Sequence, residues 1–285
     1  MPFTGRMLLL ISLICMLIVG CSRATLVYRN LDLLVPWTLN DYLDLNRSQQ
    51  RDLKNRLREH LAWHCRTQLP ELLAGLERLR QQSAGSELDR DRLQPHYLEV
   101  KQAIHAIAVE ITPTATELLR ELDDAQVREL AAALDKNRLE HREKYLVPPL
   151  PRQIRERAER MQERLEHWFG PLDAAQRQRV LAWSHSLGEQ NERWLRNREH
   201  WQRSLLEAVD ARHEKTGFEA RIAQLLQNRE ALLSEADRTA LRGAEQSALA
   251  LLADLHAMAD ERQRKHLDQR LARMHEDLAT LDCLP

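Results

Sequence analysis

Apolar residues recur along most of this chain at alternating steps of three and four, and this spacing limits the possible folds most strongly. It places apolar side chains on one narrow face of an α-helix. Such seams are predicted at Leu53 and Leu57; at Val100, Ile104, Ile107 and Ile111; at Ile154, Ala158, Met161, Leu165 and Trp168; and at Leu267, Leu271, Met274, Leu278 and Leu281. No stretch alternates apolar and polar residues over the length of a strand. We therefore predict an all-α fold, a multi-helix antiparallel bundle of helical hairpins with coiled-coil-like seams.

Proline and glycine indicate where these helices stop. The segment LVPPLP at 146–151 favours an extended connector. FGPL at 169–172 and DARHEKTG at 210–217 predict two more helix ends. Further interruptions, kinks or starts are predicted at Pro36, Pro70, Pro95 and Pro113. The resulting division is a signal segment 1–20, an N-terminal segment 21–45, and two helical halves, 46–147 and 152–285.

The chain begins with MPFTGRMLLLISLICMLIVGC, in which Arg6 precedes an apolar run over 7–19. This run is shorter than the roughly 20 residues that span a bilayer, and its layout is that of a secretory signal. Residues 18–21, Ile-Val-Gly-Cys, resemble the bacterial lipobox, after which the cysteine is acylated and the signal is removed. We predict lipidation of Cys21; the alternative is an ordinary secretory signal or an uncleaved anchor with a chance cysteine.

Two features follow from a lipobox at this position. Ser22 follows the cysteine, and by the sorting habit of Gram-negative lipoproteins this resemblance implies the inner leaflet of the outer membrane, facing the periplasm. Once Cys15 has left with the signal and Cys21 is acylated, Cys65 and Cys283 remain in a compartment that oxidises thiols. They are candidates for one disulfide between the N-terminal helical region and the C-terminus; alternatively, each is a lone small hydrophobe.

A short motif recurs as LDDAQ at 122–126 and LDAAQ at 172–176. With the aspartate as N-cap, the glutamine falls at the third helical position, so the two side chains can form a capping box. LNRSQ at 45–49 fits the same frame, and LSEAD at 233–237 fits it more loosely. Helix caps are therefore predicted at Asn46, Asp123, Asp173 and Ser234.

These pentads resemble the LTxxQ motif of the Spy and CpxP type of periplasmic proteins, which are all-helical and bind unfolded clients or metals. The second residue here is Asn, Asp or Ser rather than Thr. A closer resemblance is to an uncharacterised family of proteobacterial outer-membrane lipoproteins. It rests on LVYRNLDLLVPWTLNDYLDLNRSQQ at 26–50 and LAWHCRTQLPELL at 61–73. It implies a lipoprotein with no assigned activity.

Two sets of residues are candidates for binding sites. His60 and His64 lie four apart on one helix, so both imidazoles could reach one metal ion. They also continue an apolar seam, which favours hydrogen-bonded core histidines, so no metal site is predicted. Trp183, Trp194 and Trp201 lie broadly on one helical face, with Arg198 beside them. They form either an exposed aromatic binding face or the filling of a wide interhelical core.

The sequence lacks the motifs of several functional classes, and their absence restricts the possible functions. No phosphate-binding glycine loop, GxSxG motif or activated cysteine is present, and no cofactor is predicted. With a formal net charge of −1, the chain has no strong positive electrostatic potential that would attract nucleic acid. We expect a lipid-anchored helical adaptor or chaperone-like protein that binds another envelope protein and performs no catalysis. The alternatives are a structural envelope lipoprotein, or a metal-responsive or enzymatic protein using the His60/His64 region. Oligomeric state stays open, since a seam can close within one chain or between two.

Overall fold

Helices make up all the regular structure in this computed structural model, which describes residue 28 and residues 30–85, 88–214 and 216–281. Within those residues no strand occurs, so the predicted all-α fold is confirmed. The described helices are α1 (Leu31–Leu43), α2 (Arg47–Ser83), α3 (Arg90–Arg120), α4 (Asp124–Tyr145), α5 (Leu150–Phe169), α6 (Ala174–Ser186), α7 (Gln190–Asp210), α8 (Phe218–Gln227), a short 3₁₀ helix (Arg229–Leu232), α9 (Glu235–Met258) and α10 (Glu261–Ala279). The predicted signal segment and Cys21 lie outside the described residues.

Helix starts are fixed by side-chain caps. Asn46 Oδ1 accepts hydrogen bonds from the backbone N–H groups of Ser48 and Gln49, and Gln49 Oε1 accepts from the Asn46 N–H in return. This is a complete capping box at the start of α2. The other predicted cap positions are also N-caps: Asp123 forms a box with Gln126, Asp173 forms a box with Gln176, and Ser234 Oγ accepts from the Asp237 N–H.

Two further caps were not predicted. Asp260 forms a capping box with Gln263 at the start of α10, and Asp89 accepts from the Arg92 N–H at the start of α3. The sequence ADERQ at 259–263 follows the frame of the predicted pentads, with alanine in place of the leading leucine. Because the leading leucine is absent, this fourth capping box was not predicted.

The four box glutamines meet in two buried pairs, and the first joins the starts of α2 and α4. Gln49 Nε2 donates to Gln126 Oε1 at 3.2 Å, and Gln126 Nε2 donates to Gln49 Oε1 at 2.8 Å. Each Oε1 also accepts from the N–H of its own cap residue. Gln126 Nε2 additionally donates to the Asp44 carbonyl oxygen at 3.0 Å. The amides therefore satisfy one another while they hold two helix ends together.

The second pair repeats this arrangement at the starts of α6 and α10. Gln176 and Gln263 exchange Nε2-to-Oε1 hydrogen bonds, both of 2.9 Å, and Gln176 is 0% exposed. Gln263 Nε2 also donates to the Pro171 carbonyl oxygen at 2.8 Å. Because the N-terminal ends of both helices carry partial positive charge, the cap carboxylates Asp173 and Asp260 offset an otherwise unfavourable approach.

Two large hydrophobic clusters lie next to these pairs. One is built from α5, α6, α9 and α10 and is centred on fully buried residues such as Val180, Leu251 and Leu255. The other brings together α1, α4 and parts of α2, α3 and α7, and includes Leu122 and Val209. A glutamine pair therefore lies beside each cluster, in a region where an unsatisfied amide would be costly.

The two halves of the sequence pack against each other. Helix α10 packs on α2, α8 and α9 pack on α3, and α7 packs on α4. The connector at 146–151 crosses between them: α4 ends at Tyr145 and α5 begins at Leu150. The hydrophobic clusters consequently draw residues from both halves.

The interruptions predicted at Pro36, Pro70 and Pro95 are wrong, and Pro113 does not divide its helix. Pro70 lies inside α2 and Pro113 lies inside α3, and both helices continue through them; Pro36 and Pro95 also lie within helices. A helical proline loses a hydrogen bond and costs about 3 kcal/mol. Helices α2 and α3 pack against each other as an antiparallel hairpin, with side-chain contacts such as Arg56–Glu117, His60–Glu110 and Arg78–Glu99 along it. This packing offsets the local cost of the prolines.

The seam predicted at the centre of α3 is also wrong in part. Val100 and Ile104 are 51% and 62% exposed. Leu93 lies one heptad before Val100 and is buried in a cluster with Leu249 of α9. The apolar pattern of α3 therefore continues beyond the part of the helix that α9 covers, and its later residues are exposed.

We predict that Gln126→Ala lowers the free energy of unfolding by about 1–3 kcal/mol, because it removes both hydrogen bonds to Gln49, the bond that completes the Asp123 cap, and the buried bond to the Asp44 carbonyl oxygen. Urea unfolding followed by circular dichroism measures this loss. Gln102→Ala is the control, since Gln102 is an exposed glutamine in α3, and its effect should stay within about 0.5 kcal/mol. Equal effects of the two substitutions would show that the pair does not contribute.

Candidate functional site

A half-open groove of about 570 Å³ lies between α7 and α9, and the 3₁₀ helix and the residues after it form one end. This volume is within the range of ligand-binding pockets. The residues that line the groove include Leu187, Gln190, Arg193, Trp194, Arg198, Trp201, Arg229, Glu230, Leu232, Asp237, Ala240, Leu241, Gly243, Ala244 and Ser247. We call this feature the α7–α9 groove.

Two arginine–tryptophan pairs stand along the α7 side of the groove. The Arg198 guanidinium lies 5.8 Å from the centre of the Trp194 ring, and the Arg229 guanidinium lies 4.9 Å from that of Trp201. Trp194 and Trp201 are one heptad apart on α7, beside the buried residue Leu195. Each pair combines a cation with an apolar ring face, which suits an anionic ligand that also carries apolar groups.

Hydrogen bonds hold both pairs in place. Arg198 Nη2 donates to Asn137 Oδ1 of α4 at 2.7 Å, and Trp201 Nε1 donates to the Leu225 carbonyl oxygen of α8 at 2.9 Å. The Trp194 ring, 43% exposed, packs at centroid distances of 5.6 Å from His141 and 5.8 Å from Tyr145. The groove wall is therefore supported by α4 and α8.

The positive charge of the groove is not neutralised by its own carboxylates. Asp237 pairs with Arg196 at 3.0 Å, and Glu230 pairs with Lys101 at 2.9 Å. Within the part of the chain that the structure describes, Arg193, Arg198 and Arg229 form no ion pair.

Arg198 and Arg229 also repel each other. Arg229 is exposed as a residue, but its guanidinium is partly withdrawn from water against Trp201. The pKa of Arg229 lies below its ordinary value, first because of this desolvation and then because of the charge of Arg198. A ligand carboxylate between them would reduce that repulsion.

Small residues form the α9 side. Ala240, Gly243, Ala244 and Ser247 follow one another at helical spacing and line the groove. A Cβ atom built on Gly243 would meet nothing within 4 Å. This side therefore leaves room for another backbone or side chain to approach α9 closely.

The structure separates the three tryptophans that the sequence placed on one face. Trp183 belongs to α6, is 7% exposed and packs inside the first hydrophobic cluster, so its assignment to a binding face is wrong. Helix α6 ends at Ser186 and α7 begins at Gln190, so the helical phase of Trp183 does not carry over to Trp194. Trp194, Trp201 and Arg198 do line one groove.

The two candidate metal ligands in α2 have separate partners. His60 Nδ1 lies 3.0 Å from Glu110 Oε1, and its Nε2 lies 2.8 Å from Thr114 Oγ1. His64 Nδ1 lies 3.0 Å from the Tyr28 hydroxyl oxygen, and burial lowers the pKa of His64. Among the described residues no cluster of three histidine, cysteine or acidic side chains could hold a metal ion. The two imidazoles therefore hydrogen-bond to different groups and are not held toward a common ligand.

Cys65 is disulfide-bonded. Cys283, its predicted partner, lies outside the described residues, so the pairing itself stays a prediction. Leu281 packs in one small cluster with Cys65 and Leu69, which brings the chain close to Cys65 two residues before Cys283.

Sequence reasoning missed the residues that complete the groove. Arg229 comes from the 3₁₀ helix and the small residues come from α9, both far along the chain from Trp194. Neither carries a motif of its own. Only the partial signal on α7, tryptophans one heptad apart with arginines between them, pointed to this part of the molecule.

The profile of the family described as "Family of unknown function (DUF6279)" matches residues 41–238. The chain belongs to that family, which confirms the expected membership of an uncharacterised family. No curated protein and no solved structure matches the chain. A relationship to the LTxxQ proteins is not shown.

We predict that Trp194→Phe removes a larger share of the acrylamide-quenchable tryptophan fluorescence than Trp183→Phe does. Trp194 is 43% exposed and Trp183 is 7% exposed, so a collisional quencher reaches only the first readily. Stern–Volmer plots of the two variants and the parent protein give the comparison. Unchanged quenching in Trp194→Phe would contradict an open groove.

Proposed function

We propose that this DUF6279 protein is a lipid-anchored, periplasm-facing helical binding protein of the bacterial cell envelope, and that its α7–α9 groove binds another envelope protein. The observation that carries the proposal is the groove itself: exposed Trp194 next to arginines without ion partners, opposite a wall of small residues. Exposed aromatic surface beside arginines that no carboxylate neutralises is typical of the interaction sites of folded proteins. The proposed role is non-catalytic, as an adaptor or a chaperone-like holder.

Membrane attachment is proposed to occur through acylated Cys21, in the inner leaflet of the outer membrane. The support is the lipobox-like sequence at 18–21. Among the described residues no helix is both long enough and apolar enough to cross a membrane. Several acyl chains, each contributing about 0.8 kcal/mol per buried CH₂ group, give lasting attachment.

Helix α1 has a surface suited to a position near the bilayer. It exposes Leu33 and Trp37, which lie four residues apart on one face and follow Cys21 closely in the sequence. Tryptophan is favoured at the boundary between headgroups and acyl chains. This face supports an orientation in which α1 lies next to the membrane.

We predict that Cys21→Ser abolishes labelling by radioactive palmitate and leaves the signal segment uncleaved, because the acylated thiol is lost and removal of the signal depends on it. Ser22→Ala is the control, because it leaves the cysteine in place, and it should keep both the labelling and the removal of the signal. A Cys21→Ser protein that still incorporated palmitate would refute the anchor.

We also predict that a photoreactive phenylalanine at Trp194 crosslinks in living cells to a discrete partner protein. The same residue at Leu139, an exposed position of α4 outside the groove, is the matched control and should give no such product. Gel mobility and mass spectrometry of the crosslinked species measure the outcome. The same set of products from both positions, or none from Trp194, would contradict binding in the groove.

A further inference from the structure

The α9 wall of the groove has the form of a helix-packing surface. Ala240, Gly243, Ala244 and Ser247 are spaced at i, i+3, i+4 and i+7, so they occupy one face of α9. Gly243 is exposed, with open space where its side chain would project. Small residues at a contact allow two helices to approach to about 8–10 Å between their axes. The wall is therefore suited to an additional helix.

The length of the groove also fits a helical segment. On the α7 side the lining extends from Gln190 to Trp201, which is about 17 Å at 1.5 Å per residue. This corresponds to three turns of an accompanying helix. Leu187, Leu232 and Leu241 supply apolar contacts along it. An amphipathic helix could bury one face here and leave the other in solvent.

The charge of the groove determines what the edges of that helix should carry. Arg198 and Arg229 flank the Trp194 and Trp201 rings and form no ion pair among the described residues. Carboxylates at the border of an incoming apolar face would pair with these guanidinium groups and reduce their mutual repulsion. A basic segment would increase the repulsion.

We infer that the α7–α9 groove binds an acidic amphipathic helix of its protein partner. The apolar face of that helix packs on the small-residue wall of α9, and its carboxylates pair with Arg198 and Arg229. The inference rests on the proposed function and names the kind of segment that the groove recognises.

The test uses a fluorescein-labelled 14-residue peptide with leucine at positions 1, 4, 5, 8, 11 and 12 and glutamate elsewhere. The protein is the full chain carrying Cys21→Ser. Fluorescence anisotropy should show saturable binding that weakens with added salt. A peptide with lysine in place of glutamate should not bind. Emission from Trp194 should change on binding, and this change should be missing in Trp194→Phe.

Two pairs of variants locate the site. Gly243→Phe fills the space beside α9 and should weaken binding at least about tenfold, whereas Gly243→Ala should bind as the parent does or nearly so. Arg229→Gln should raise the dissociation constant at least about fivefold. Arg262→Gln removes an exposed arginine of α10 outside the groove and should leave binding unchanged. Arg229 and Gly243 are both exposed, so these substitutions are compatible with the fold.

Three results would overturn the inference. The first is equal binding of the glutamate and lysine peptides. The second is binding of the glutamate peptide that Gly243→Phe leaves intact. The third is absence of binding of the glutamate peptide. If dodecanoate then binds the parent chain but not Gly243→Phe, the groove is an acyl-chain site. If the glutamate peptide does not bind but the crosslink from Trp194 still forms in cells, the inference is wrong and the proposed function stands. If the peptide does not bind and no crosslink forms, the inference and the proposed function are both wrong.

Discussion

Two reciprocal glutamine pairs hold the helix starts on which the rest of this structure depends. Gln49 with Gln126 joins α2 to α4, and Gln176 with Gln263 joins α6 to α10. Each amide is buried and bonded both to its own cap residue and to its partner, so a change in one helix start removes buried hydrogen bonds from another. The pairs therefore favour one arrangement of four helices over alternatives that bury similar apolar area.

The candidate groove follows from this arrangement. Helix α7 packs on α4, whose start belongs to the first pair, and α9 packs on α6, whose start belongs to the second. The space between α7 and α9 is thus defined by two separately fixed parts of the molecule. Trp194 and Arg198 are supported from α4, and the small-residue face of α9 lies opposite. Such support reduces the ordering cost of binding, since the wall is formed before a partner arrives.

Local features of the fold could be read from the sequence, and non-local ones could not. The cap positions Asn46, Asp123 and Asp173 follow from a few neighbouring residues, as does the helical class. That their glutamines meet in pairs depends on long-range packing, which a pentad does not encode. For the same reason Val100 is exposed despite its spacing, Pro113 lies inside a helix, and Trp183 lies in the core while Trp194 lines a groove. Half of the groove is formed by α9 and the 3₁₀ helix, whose groove-lining residues carry no sequence motif.

A double-mutant cycle across Gln176 and Gln263 tests the central claim most directly. Unfolding free energies are measured for the parent chain, Gln176→Ala, Gln263→Ala and the double variant. If the two amides act as one unit, each single substitution is costly and the second adds little, which gives a coupling energy of at least about 1 kcal/mol. Additive losses, with a coupling energy near zero, would show that each glutamine serves only its own cap and that the pairs do not organise the fold.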